Sequence, residues 1–389
     1  MRRAFSAIGG VLLLTFSAVG CGSKPVVGVL LPSSGPAANY GESIESGVRL
    51  AVADARNLDQ LPVGFEVAWA DSASDPEVVQ RELRRLASDR GANLVIGGAT
   101  SAEARAIIPL LDELNLVCIS PSASAPDLAA TSRQFFRIYP SDELEGYTAA
   151  KFLIDRMGQQ RVVLYVGDSE YADGIEPEFS SQFTDALGGE IVARIELDDG
   201  DWRDQSARAL AEGVGAVYVI GYAEETLEVL RHLAEEGFGG RVLVTSAFYS
   251  SRVIREAGTL AEGILFPLPP FDRTSEKEPV LGFVMRYMDT YQRAPDVYAA
   301  HGYDAMRLAI EVMRIAQPPE TENIRKALSF GVTEFMGVTG PILFDDYGDV
   351  KHYPKMFIVK DGDVISYQRY MKAERSRILR EVQDLLTEE

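Results

Sequence analysis

The chain is poor in the residues on which most one-site chemistries depend. Only two cysteines, Cys21 and Cys118, and three histidines, His232, His301 and His352, occur in 389 residues. No cluster has metal-ligand spacing, so no metal is expected. Neither a Gly-x-Gly-x-x-Gly nor a Walker pattern occurs, which removes nucleotide-dependent chemistry and leaves no cofactor expected. Cys118, inside the apolar run Leu116-Val117-Cys118-Ile119, reads as an inert buried hydrophobe. Basic residues are also short, with 38 Lys and Arg against 58 Asp and Glu and a net charge of −20. That balance excludes nucleic acid, and it excludes an anionic lipid surface bound through basic patches. The charge is compatible with a monomer, which is the expected state. Long apolar runs are missing too: Ile8 to Val19 spans twelve residues, whereas a membrane span needs roughly twenty.

What that short run does fit is a secretory leader. Arg2 and Arg3 precede it, and Ala18-Val19-Gly20-Cys21 follows as small residues before a cut. Cysteine directly after the small residues is the acceptor position of a lipobox, with Ala18 where leucine is usual. The expectation is a signal peptide over 1–20, lipidation of Cys21 and a membrane-anchored protein facing the exterior or the periplasm. Removing residues 1–20 leaves 369, with two fewer positive charges. That is enough for two domains of ordinary size. With Cys21 acylated no internal disulfide is possible, so an apolar core must hold the fold.

From Val26 the chain alternates apolar runs with helical periodicity. Val26–Leu31 reads as a strand, and Ile44, Val48, Ala51 and Ala55 mark one helical face. Phe65–Trp69 is the next strand, and Asp75-Pro76 then starts a helix with Asp as N-cap and Pro at the first position. Its buried face is Val79, Leu83 and Leu86, with Gly91 past its end. A strand at Leu94–Ile96, a helix over 101–114 that Pro109 should kink, and a strand at Leu116–Ile119 follow. A second block has helices over 142–157, 174–187, 203–212 and 223–236 between strands 161–166, 190–196, 216–220 and 241–244. Helical patterns over 277–293, 297–316 and 321–329 precede strands 341–345, 354–360 and 363–368. Asp361-Gly362 marks a tight hairpin. A last amphipathic helix, about 370–387, carries Ile378, Val382 and Leu385 on one face. Strands alternating with helices imply an α/β fold with parallel sheets covered on both faces, here in two blocks with a ligand cleft between them.

Several motifs in a fixed order resemble a known family. They are Gly28-Val29-Leu30-Leu31-Pro32-Ser33-Ser34-Gly35-Pro36 with Tyr40-Gly41, and Val95 to Ser101. Ile119 to Pro126, Gly167 to Gly174, Gly340 to Asp345 and Gly348-Asp349 continue the series. Over about 26–367 the chain resembles the type I periplasmic binding proteins of ABC transporters, in their branched-chain amino-acid-binding branch. The resemblance implies two Rossmann-like lobes joined by three crossovers near 139–142, 266–270 and 340–344. Lobe 1 would comprise 25–140 with 268–341, lobe 2 would comprise 141–267 with 342–369, and the helix over 370–389 would lie outside both. It also implies capture of a small ligand, an amino acid or related small carboxylate, by hinge closure and its delivery to an ABC permease.

Ser101 opens a helix, where unpaired N–H groups favour an anion, although Thr100-Ser101-Ala102-Glu103 also reads as a plain capping box. Ser122, Ala123 and Ser124 follow a strand end, where open α/β sheets place ligands. The resemblance gives these positions the ligand's carboxylate and amino group, and gives Tyr171 and Tyr222 aromatic contacts. It also exposes a departure. Ala247, in Thr245-Ser246-Ala247-Phe248-Tyr249, stands where the family has a glutamate for the ligand ammonium. Either another acid substitutes, with Asp173 and Glu224 nearby in sequence to the two tyrosines, or the ligand has no ammonium and Phe248 and Tyr249 wall an aryl acid. Thr100 stands where the family has one cysteine of its internal disulfide.

Two other functions compete with transport. The terminal helix would suit a ligand sensor that signals to a protein partner. Gly167-Asp168-Ser169 with Asp349-Val350-Lys351-His352 echoes esterase blocks, with Ser169 as nucleophile, but the order is wrong and the block that should stand between them is missing. An enzyme is not expected.

Overall fold

The computed structural model describes residues 24–249 and 251–387, so Cys21 and the leader lie outside it. Val26–Leu31 (β1), Ala38–Asn57 (α1), Glu66–Asp71 (β2), Pro76–Ser88 (α2), Leu94–Gly97 (β3), Ser101–Glu113 (α3), Val117–Ser120 (β4) and Phe135–Arg137 (β5) build lobe 1. The strands form a parallel sheet in the order β2-β1-β3-β4-β5. Val27, Val29 and Leu31 join one core layer while Val26 and Leu30 join the other. Strand geometry turns alternate residues to opposite faces, so a run apolar at every position needs cover on both. The Asp75 carboxylate caps α2, accepting from the N–H groups of Glu77 and Val78. α3 continues through Pro109 to Glu113.

Lobe 2 repeats the plan. Asp142–Lys151 (α4), Arg161–Val166 (β6), Glu170–Ser180 (α5), Glu190–Glu196 (β7), Trp202–Leu210 (α6), Ala216–Ile220 (β8), Ala223–Glu235 (α7), Arg241–Val244 (β9), Ser251–Ala257 (α8) and Leu265–Leu268 (β10) follow in turn. Their strands align as β7-β6-β8-β9-β10, the same order as in lobe 1. Val280–Tyr291 (α9), Val297–Ile315 (α10) and Thr321–Lys326 (α11) return to lobe 1, where Phe283, Ala300 and Ile324 enter its core. Phe335–Gly337 (β11) pairs antiparallel with Gly340–Ile342 (β12) apart from both large sheets. Lys355–Lys360 (β13) and Asp363–Ser366 (β14) extend the lobe 2 sheet antiparallel from β10. The hairpin between them turns on Asp361 and Gly362, with φ of 54° and 77°, the left-handed pair a two-residue turn demands. Tyr367–Thr387 (α12) ends the described chain.

The crossovers run through 139–141, 269–270 and 351–354. The third is not at 340–344, because Ile342 and Val350 are buried in the lobe 1 core and Arg137 bridges Asp349 as a further edge contact of β5. Residues 342–350 therefore belong with lobe 1, and Leu268, at the end of β10, belongs with lobe 2. Among the described residues, no helix is long and apolar enough to cross a membrane.

Candidate functional site

Both lobes direct the C-terminal ends of their parallel strands at one another, the place where doubly wound sheets hold ligands. The resulting interlobe cavity measures about 1140 Å³. Ser101, Ser122, Ser124, Tyr171, Tyr222 and Ala247 line it, and so do Asp142, Glu224, Tyr249 and Tyr298.

On the lobe 1 side, Thr100 caps α3 in a reciprocal box. Its hydroxyl accepts from the Glu103 N–H at 3.2 Å, and its own N–H donates to the Glu103 carboxylate at 3.2 Å. Those bonds leave the N–H groups of Ser101 and Ala102 without an intrahelical partner, a ready anion site at the positive end of the helix dipole. The Ser101 hydroxyl accepts from the N–H groups of Ser124 at 3.4 Å and Ala125 at 3.2 Å. Ser122 donates to the Ala99 carbonyl at 2.6 Å. The loop after β4 is thereby tied to the start of α3, so both hydroxyl-bearing segments hold one geometry.

Facing them from lobe 2, Tyr171 stacks on Tyr222 with ring centroids 5.3 Å apart, while on the lobe 1 side Tyr298 stacks on Tyr139 of the first crossover at 6.1 Å and meets Tyr40 edge-on at 4.8 Å. Across the mouth, Arg105 of α3 reaches Glu170 of α5 at 2.7 Å and Asp127 at 3.1 Å. This ion pair links the lobes directly, but it is solvated, and exposed pairs contribute at most about 1 kcal/mol. Arg105→Ala is therefore expected to speed ligand release by less than about fivefold and to leave the melting temperature unchanged. Stopped-flow dissociation kinetics and a thermal melt check this together.

Two predicted positions fall outside the cleft wall. Phe248 is fully buried in the lobe 2 core beside Phe266, because a 3-10 turn at Ser246–Phe248 swings it inward and presents Tyr249 instead. Ala123 is buried below the lining, where its carbonyl faces the Arg137 guanidinium. Of the acids suggested for the absent glutamate, Glu224 lines the cleft and Asp173 does not.

Asp142 and Glu145, at the start of α4, were missed. Glu145 is buried, and its carboxylate accepts from the Ser246 N–H at 2.6 Å and from the Ser246 hydroxyl at 2.8 Å. The Tyr171 hydroxyl donates to it at 3.3 Å. Asp142 accepts from Ser124 through its carboxylate. Burial pushes Asp142 up to about 7 and Glu145 up to about 8. Acids in the first turn of a helix are ordinary dipole partners, so the sequence held no signal that these two mattered.

The esterase arrangement does not assemble. Ser169 caps α5 by accepting from the Ala172 N–H at 3.2 Å. Both Asp349 oxygens are taken by Arg137, at 2.7 and 2.8 Å, so Asp349 does not orient His352. Burial pushes the Cys118 thiol up to about 12, which leaves no thiolate at neutral pH. Among the described residues, no group of three His, Cys, Asp or Glu side chains could hold a metal ion.

The fold has counterparts among known proteins. The leucine-, isoleucine-, valine-, threonine- and alanine-binding protein of Pseudomonas aeruginosa is 24% identical over 328 residues, covering 83% of this chain and 86% of that one. An ABC transporter substrate-binding protein from Desulfitobacterium hafniense, solved with Leu, superposes with a TM-score of 0.77 at 23% identity, over 88% of this chain and 99% of that one. A solute-binding protein from R. palustris, solved with benzoate, gives 0.72 at 21% identity, over 88% and 95%. Both structural likenesses bear on the fold. The family model for periplasmic binding proteins matches residues 25–362, and this chain belongs to that family.

Proposed function

We propose that this chain is an extracytoplasmic solute-binding protein, tethered through a lipid on Cys21, that delivers a small ligand to an ABC importer and catalyses no reaction. The observation that carries the reading is the interlobe cleft, where the uncapped N–H groups at the start of α3 oppose the stacked pair Tyr171 and Tyr222. An anion-binding helix end facing aromatic surface suits a hydrophobic amino acid or a related small carboxylate. Closure would turn on the three crossovers, each a few residues long, and would bring the two walls onto the ligand.

Titration calorimetry against hydrophobic amino acids and aryl carboxylates tests the reading, and absence of binding across both classes would sink it. Ser101→Ala and Tyr171→Ala are each expected to weaken binding by about tenfold or more, equivalent to about 1.4 kcal/mol. Unchanged affinity in both variants would mean that the ligand sits elsewhere.

A second reading, ligand sensing through a protein partner, is favoured by α12. Beyond its first turn this helix leaves lobe 2 with Met371, Ile378, Leu379 and Val382 exposed, an apolar stripe of the kind that docks on a partner. Uptake of labelled ligand by cells lacking the protein separates the two readings, since only the transport role predicts its loss.

A further inference from the structure

The family match ends at residue 362, so α12, Tyr367–Thr387, lies beyond the part of the chain shared with the family. Its first turn holds to lobe 2, where Tyr367 meets Phe152 edge-on at 4.8 Å and lies beside Tyr370. From Met371 to Asp384 every residue but Glu374 is exposed. About 20 Å of helix therefore stands largely clear of the body. A helix so short is marginal in water on its own, because most helical stability comes from burying an amphipathic face. This one keeps Met371, Ile378, Leu379 and Val382 in solvent, and its apolar face needs a partner.

The spacing along the helix says which partner. Met371, Arg375, Ile378, Val382 and Leu385 recur at alternating intervals of four and three residues, the d and a positions of a heptad seam between helices. Leu379 and Leu386 follow at e and widen the seam on one side. Arg375 falls at a, where a single polar residue fixes register at a cost in stability. Glu374 and Glu381 fall at g and form the other edge. Parallel helices set Arg375 of one copy beside Glu374 of the other, whereas antiparallel helices bring the two glutamate edges together. The same edge speaks against an anionic lipid surface, which would meet two glutamates beside the stripe.

We propose that α12 pairs in parallel with α12 of a second copy, so that the chain dimerises through its terminal helices. The dimer replaces the monomer expected from net charge. Its two-fold axis runs along the paired helices, which sets the Lys24 ends of both copies at one height, as two chains tethered to one membrane require. That last point alone rests on the reading of Cys21 as a lipid anchor. The seam is only about two heptads long, and both copies are strongly acidic, so association in solution is weak. Copies confined to one membrane meet at a higher effective concentration.

The experiment joins cysteine cross-linking of the mature chain in its membrane with sedimentation equilibrium of the same chain in mild detergent. Met371→Cys and Val382→Cys are each expected to form a disulfide with their own counterpart under mild oxidation, while the parent and Arg380→Cys, at f on the far side, are not. In sedimentation, Val382→Glu is expected to weaken the dimer at least about tenfold and Arg375→Leu to tighten it about tenfold. These side chains are exposed, so an unchanged melting temperature certifies each variant, and Arg375→Leu reads as a gain that misfolding cannot mimic. Sedimentation also decides the pairing if the chain proves to carry no anchor. A monomer at every concentration with no cross-link would overturn the proposal. So would cross-linking of Arg380→Cys as fast as of Met371→Cys, or a disulfide formed only between mixed Met371→Cys and Leu385→Cys copies, the antiparallel result. Binding to phosphatidylglycerol vesicles, or to a different protein, by a chain that stays monomeric would overturn it as well.

Discussion

Asp349→Ala is expected to lower stability by about 3–5 kcal/mol, the usual penalty for breaking a buried pair by removing one partner. Arg137 is completely buried, with Nε and one terminal nitrogen on the two Asp349 oxygens at 2.7 and 2.8 Å and the other nitrogen on the Ala125 carbonyl at 2.7 Å. Without Asp349 the guanidinium keeps its carbonyl partners but loses its one ion-pair partner among the described residues. A further strand contact fails with it. The Arg137 N–H bonds the Gly348 carbonyl at 2.9 Å and the Val350 N–H bonds the Arg137 carbonyl at 3.1 Å, so the pair staples segment 344–350 to β5. For a lobe of this size each kcal/mol moves the melting temperature by roughly 2–4 °C, so a fall on the order of 10 °C should appear by calorimetry. Arg137→Met combined with Asp349→Leu should recover part of the loss, because an apolar pair leaves no unpaired charge. The Arg137 contacts to the carbonyls of Ala123 and Ala125 flank Ser124, so ligand affinity should fall in the single variant as well. A melting temperature within a degree or two of the parent would show that water replaces Asp349 at no great cost.

This staple also explains what the sequence concealed about the third crossover. Apolar Ile342 and Phe344 read as one strand over 341–345, but only Gly340–Ile342 pairs, and with β11. The chain then stays on lobe 1 until the Arg137–Asp349 bond releases it, a contact between residues 212 apart that no local pattern announces. Short strands were lost for similar reasons. β5 is three residues ending in an arginine, and only tertiary pairing makes that residue a core member. β10 holds Pro267, which speaks against a strand. It is tolerated because the pairing with β9 involves only Leu265, so no ladder bond to β9 is asked of Pro267. By contrast, long periodic segments such as α1, α2 and the β6–β9 block were legible, because their apolar spacing is set by the faces they bury. At the cleft, the serines were legible from a strand end and a helix start and the tyrosines from the family resemblance, whereas Asp142 and Glu145 looked like any helix-opening acids. Phe248 misled because the chain after β9 turns as a 3-10 helix and not as an extended strand, exchanging its place with Tyr249.

Gly47→Ala is expected to destabilise lobe 1 by about 2 kcal/mol or more, against the helix preference of alanine. In the middle of an exposed helix the change would gain about 1 kcal/mol. Gly47, however, lies where α1 crosses α10 backbone against backbone. A methyl group there would press into the Ala299 carbonyl and stand 2.7 Å from the Tyr303 nitrogen, and one on Gly302 would press into the Ile44 carbonyl in the same way. Backbone atoms inside two packed helices cannot rotate aside as a side chain does, so the helices must separate. Overpacking of this kind costs about 1–3 kcal/mol even where side chains give way, and more where they cannot. The steric term therefore exceeds the propensity term. Separation also reaches the cleft, because Ser43 of α1 donates to Asp296 at 2.7 Å, Asp296 caps α10, and Tyr298 follows in the cleft wall. Ligand affinity should drop along with stability. Gly282→Ala in α9 is the matched control. Its methyl group would meet only the ends of the Glu278 and Arg286 side chains, which can swing away, so the same substitution should there stabilise by about 0.5–1 kcal/mol. Thermal melts of the two variants beside the parent decide the matter, and equal signs for Gly47→Ala and Gly282→Ala would refute the close helix crossing.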